Sequence, residues 1–115
     1  MRKIIEISPI MLKRLQNYQQ VVENERKTAH QNQWMEMTLD KMEKFQVIQK
    51  RSDHINAVVG YASFLFRVQN GMTPPRTLYG ELFLRNALVE VMEELHIPIK
   101  MVNSPAEAEV TNSYG

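Results

Sequence analysis

The chain has 115 residues, 43% hydrophobic and 23% charged, with a formal net charge of +1 and no cysteine. This length suits one domain with a modest core, and the apolar-to-charged balance is that of a globular chain rather than a disordered one. The lack of cysteine excludes disulfides, thiolate metal sites and cysteine nucleophiles, and it fits a cytoplasmic location.

The near-neutral total hides an asymmetry. Residues 1–76 carry 12 Lys/Arg against 7 Asp/Glu, whereas residues 77–115 carry 2 against 6. A basic body and an acidic end can attract each other within one molecule or between subunits.

Arg2-Lys3-Ile4-Ile5-Glu6-Ile7 is short and rich in β-branched residues, which predicts a strand at 3–7. Its charged start is no secretory signal, because Glu6 and Pro9 interrupt any apolar segment. Ser8-Pro9 then marks a helix start. The serine oxygen accepts from an orphan backbone N–H, and proline lacks only a donor that would have no partner in the first turn. No proline or glycine follows until Gly60. Met11, Leu15, Tyr18 and Val22 recur at steps of four, three and four, so a first helix is predicted over 9–24.

The stripe fades across 23–33 (ENERKTAHQNQ), where Ala29 is the sole apolar residue. Thr28 and Gln31 have capping-box spacing, so a break is expected here and a second helix over 28–69. Apolar character resumes at Trp34. Positions 45, 48, 52, 55, 59, 62 and 66 then alternate steps of three and four, as in a coiled-coil seam. A second row, Val58, Tyr61, Leu65 and Val68, widens the apolar face and predicts burial on more than one side. Gly60 inside it predicts a kink or a close helix approach. The most apolar stretch, 55–66, is far shorter than the roughly 18 residues a membrane span needs, so no membrane partner is expected.

Asn70-Gly71 is a stop signal, because both residues tolerate the left-handed conformation. Thr73-Pro74-Pro75 reads as a stiff connector. A third helix is predicted over 77–95, with Leu78, Leu82, Val89 and Met92 on one stripe and Leu84, Leu88, Val91 and Leu95 beside it. Glu90, Glu93 and Glu94 sit where the helix dipole disfavours acids, which predicts a cationic neighbour. Residues 97–102 read as a second strand able to pair with 3–7 and join the chain ends. The segment 103–115 reads as a flexible acidic tail. The fold class expected is mainly α: a three- to four-helix bundle with long helices and a short two-stranded ribbon, forming one domain over 1–102.

Chemistry is hard to find. His30, His54 and His96 are far apart, and no His-x₃-His or HExxH occurs. Asp40 with Glu43 and Glu90 with Glu93 each share a helical face. Two such pairs on facing helices could hold a divalent cation, as a metal-dependent nucleotide hydrolase would require, but bundle metal sites are denser in acids and histidine. No nucleophile elbow, P-loop or dinucleotide loop is present. The expectation is therefore no enzyme, no catalytic residue, no metal site and no cofactor.

Basic doublets at Lys13-Arg14, Arg26-Lys27 and Lys50-Arg51 make nucleic acid the second candidate partner, provided they share a face. Protein association comes first. Eight methionines is a high number, and methionine suits adaptable contact surfaces. Trp34, Met35, Met37 and Met42 lie at the edge of the polar segment, where a partner could cover them. The function expected is a small adaptor or modulator, a homo-oligomer through its long helices that also binds another protein.

Overall fold

The computed structural model describes residues 3–33, 38–72 and 80–103. Among them the order is β1 (Lys3–Ile5), α1 (Pro9–Gln33), α2 (Leu39–Gln69), α3 (Glu81–Glu94) and β2 (Met101–Asn103). The chain is mainly helical with one two-stranded antiparallel sheet.

Helix α1 starts at the predicted place. The Ser8 hydroxyl accepts from the Met11 N–H at 3.2 Å, and the Ser8 carbonyl takes the Leu12 N–H at 3.0 Å. The helix does not stop at 24. It runs unbroken through Thr28 to Gln33, so the division into 9–24 and 28–69 is corrected. The polar run consists largely of good helix formers and holds no breaker, so losing its apolar stripe does not end it. Local pairs support it. Arg26 grips Glu23 through Nη2 at 2.5 Å and Nε at 3.1 Å, and Gln20 donates to Asn24 at 3.0 Å.

Helix α2 begins instead at Leu39, with Thr38 as its N-cap. The Thr38 hydroxyl accepts from the Lys41 N–H at 3.2 Å. It ends at Gln69, where the stop signal stands. Gly71 adopts φ +70°, its N–H reaches the Val68 carbonyl, and the Met72 N–H reaches the Arg67 carbonyl at 2.9 Å. That pair of bonds is a Schellman cap. Gly60 is exposed, with nothing within 4 Å of where a Cβ would stand, so no close helix approach explains it.

Helices α1 and α2 run antiparallel. Their pairings fall at steadily opposed positions: Gln19 Nε2 donates to Asn56 Oδ1 at 2.9 Å, the Ser52 hydroxyl donates to Glu23 at 3.2 Å, and the His30 and Phe45 rings lie 5.9 Å apart. Helix α3 packs on α2 as well. The core is formed by Leu15 and Val22 of α1, Ile55, Val58, Val59, Tyr61, Ala62, Leu65 and Val68 of α2, Ala87, Leu88, Val91 and Met92 of α3, and Ile4, Ile5, Ile7 and Ile97 around the ribbon.

Helix α3 covers Glu81–Glu94 within the predicted 77–95, of which 77–79 lie outside the described residues. Its end is a second Schellman cap: the His96 N–H reaches Glu93 and the Ile97 N–H reaches Met92 at 2.8 Å, with His96 at φ +56°. The strands pair as expected but are shorter than 3–7 and 97–102, with Ile4 opposite Val102. One further bond, from the Glu6 N–H to the Lys100 carbonyl at 2.7 Å, extends the pairing. Ile7 is turned to the helices by Gln69 and Ile97 by the α3 cap, which shortens the ladder. Asn103 belongs to β2, and the rest of the predicted tail lies outside the described residues.

Candidate functional site

Helix α3 is shorter than α2, on which it packs, and than α1, which meets its C-terminal end through Arg14 and Tyr18. At about 1.5 Å per residue, α3 spans about 21 Å, whereas α1 and α2 span about 37 and 46 Å. The molecule is accordingly elongated, 61 × 27 × 21 Å. Beyond the end of α3, α1 and α2 continue together as a two-helix arm, residues 23–33 and 39–51. None of the described side chains in that arm is buried.

The arm meets the core at a polar junction. Tyr18 donates to Glu94 Oε1 at 2.9 Å and accepts from Arg51 Nη2 at 2.7 Å. Arg51 also stands 5.7 Å from the Tyr18 ring centroid and 3.9 Å from Glu25. Its guanidinium is held above its ordinary pKa chiefly by the bond to Tyr18, so it stays charged. Arg14 donates to the Leu95 carbonyl at 2.6 Å and places a cation at the end of α3. The cationic neighbours that the acidic end of α3 requires are thus Arg14 and Arg51.

One turn further along the arm, Glu23 is held by Arg26 first and by the Ser52 hydroxyl as well. Despite some desolvation, these contacts keep its carboxyl below the usual carboxylate pKa. Among the described residues Ser52 is the buried polar side chain of the core, and this bond satisfies it where the coiled-coil seam would otherwise want an apolar side chain.

On the side of the arm that continues past α3, an open groove is lined by Val21, Asn24, Glu25, Thr28, Ala29 and Ile48. Val21 is 55% exposed and Val47, next to Ile48, is 67% exposed. Leu39 is exposed as well. Sequence periodicity passes over Val21 and Val47 because they fall off the core stripe. An apolar residue off the stripe of a long helix was the available signal.

Of the predicted interaction residues, Met42 lies on the arm and is 40% exposed, while Trp34, Met35 and Met37 lie outside the described residues. The basic doublets are split by the structure. Arg14, Arg26 and Arg51 are engaged in the contacts above, and Lys13, Lys27 and Lys50 are exposed. With helical spacing of fourteen residues, Lys13 and Lys27 share one side of α1, and Lys50 is on the other helix. Asp40 and Glu43 stand near the tip of the arm, and Glu90 and Glu93 stand on α3. Among the described residues no three metal-ligating side chains converge. No described helix is long and apolar enough to cross a membrane.

No family model, curated protein or solved structure matches this chain.

Proposed function

We propose that this chain is a small, non-enzymatic adaptor or modulator that self-associates through its long helices and acts through a helical surface on another protein. In this reading α1, α2 and α3 form a three-helix bundle in the cytoplasm. The observation that carries it is the arm: two helices continue past the third with exposed Leu39, Met42 and Val47 and with no buried side chain among those described. Two helices alone bury little apolar surface, and most helical stability comes from tertiary packing of an apolar face. A partner helix laid on the arm supplies that packing.

Solution mass by light scattering on a sizing column tests this, at low and moderate salt and with and without short oligonucleotides. An oligomer that ignores both salt and oligonucleotides supports the reading. A monomer at every concentration overturns it. A monomer that shifts onto oligonucleotides only at low salt replaces it with phosphate binding through Lys13, Lys27 and Lys50.

A further inference from the structure

Only one strand of the ribbon has its outer side covered. The Glu6 N–H reaches the Lys100 carbonyl at 2.7 Å, and these residues stand opposite each other, one step on from Ile5 and Met101. Bonded and non-bonded pairs alternate along an antiparallel ladder, so Ile5 and Ile7 on one strand and Ile99, Met101 and Asn103 on the other turn their backbone groups outward. On β1 that side is closed: Ile5 is 1% exposed, and Gln69 binds both backbone groups of Ile7. On β2 it is open. Ile99 and Met101 are 39% and 41% exposed, Asn103 is exposed too, and among the described residues nothing bonds their outward N–H and C=O groups. The usual guards of a strand edge are missing. Pro98 falls on the inner row, so each outward position keeps its donor, and Lys100, the one charged side chain of 97–103, stands 3.8 Å from Glu6.

We infer that this edge pairs with the same edge of a second copy, β2 antiparallel to β2 of the partner subunit and Met101 on the two-fold axis, so that two ribbons become one four-stranded sheet. The outward row selects the occupant, because it is symmetric about Met101. Met101 faces Met101 of the partner subunit, Ile99 faces Asn103 of the partner subunit, and about six backbone bonds form. A slip of two residues leaves one end of each row unpaired. A copy closes both open edges at once, and since the far sides of the ribbons are already covered, the assembly stops at two. Charge permits this register. Lys100 faces Val102 of the partner subunit, and the two lysines stand diagonally, roughly 8 Å apart, each beside its own Glu6. The half-exposed Ile99 and Met101 side chains share one face of the sheet with their counterparts and leave water together. A lone two-stranded ribbon is marginal, so the wider sheet also steadies the joined chain ends. The edge stands before the start of α1 and the arm at its far end, so this contact is separate from the helical association proposed above.

Because the chain has no cysteine, a single introduced thiol reports contact without background. A disulfide needs Cα atoms within about 7 Å, so oxidation rate reads proximity. Met101→Cys should form a covalent dimer roughly ten-fold faster than Ile99→Cys, which is as exposed but lies about 14 Å from its own copy in this register. Ile99→Cys mixed with Asn103→Cys should cross-link where neither does alone. Equal rates, or no covalent dimer from Met101→Cys, overturn the inference. Met101→Pro removes an outward donor that the ribbon itself does not use, and it should weaken the dimer roughly thirty-fold, since the two-fold deletes two bonds. A folded Met101→Pro chain with the parent's mass overturns the inference as well, and should that variant fail to fold, the thiol pairs decide alone. An oligomer that neither change affects removes the edge contact and leaves association through the helices standing.

Discussion

The Gln69 carboxamide pairs with both backbone groups of Ile7: its oxygen accepts from the Ile7 N–H at 3.1 Å, and its nitrogen donates to the Ile7 carbonyl. One side chain at the last turn of α2 thus imitates a neighbouring strand and holds the chain between β1 and α1, sixty-two residues away in sequence. The Ile7 side chain is fully buried beside it.

Gln69→Leu should therefore destabilise the fold by about 1–3 kcal/mol, because it leaves two partly buried backbone groups unpaired rather than removing a matched pair. Urea unfolding measures this. A loss below about 0.5 kcal/mol would show that water replaces the carboxamide freely.

The position of the helix break separates two threonines. Thr38→Ala removes the cap of α2 and should cost about 1 kcal/mol. Thr28→Ala lies inside α1 on an exposed face and should leave stability unchanged or raise it slightly, since alanine is the better helix former. Comparable losses from both would place a helix start at 28 after all.

His96 holds φ +56° at the end of α3, a conformation that is unfavourable for a residue with a Cβ by roughly 1–2 kcal/mol. His96→Gly should raise thermal stability, and His96→Val should lower it. A glycine variant no more stable than the parent chain would mean that the imidazole makes a compensating contact.

Gly60→Ala should stabilise by about 1 kcal/mol. The position is mid-helix, exposed and open, and glycine there only adds freedom to the unfolded chain. Destabilisation would reveal a neighbour at Gly60 in the assembled state.

Glu23 gives an acid-side prediction. Its carboxyl titrates below the ordinary value of 4.5 because Arg26, and then Ser52, bind the charged form. A depressed carboxylate adds stability that is complete above that value and is lost as pH falls through its lower folded value. Glu23→Gln should flatten the stability profile below about pH 4.5. An unchanged slope between pH 4.5 and the acid limit of folding would remove Glu23 from the acid response.

Local chemistry is written plainly in this chain. Ser8-Pro9 begins a helix and Asn70-Gly71 ends one, because caps depend on a few adjacent residues. The ends of the chain carry β-branched segments, and they pair. The start of α2 is less legible. Thr28 and Gln31 have the spacing of a capping box, but a continuous run of helix formers overrides it, and Thr38 carries no matching acid or amide three residues on. The end of α3 falls within one residue of the predicted 95, although a histidine stands at the left-handed position where glycine or asparagine is usual.

What the sequence alone determined is the set of helices and strands and the absence of recognisable catalytic motifs, since periodicity and capping are short-range properties. The tertiary structure decided where α3 stops along the α1–α2 pair, and so which residues form a core and which form an arm. It also decided that Arg14, Arg26 and Arg51 bind carbonyl, carboxylate and phenol groups within the molecule while their lysine neighbours remain exposed. Those outcomes depend on the lengths and packing of elements distant in sequence, which no local pattern encodes.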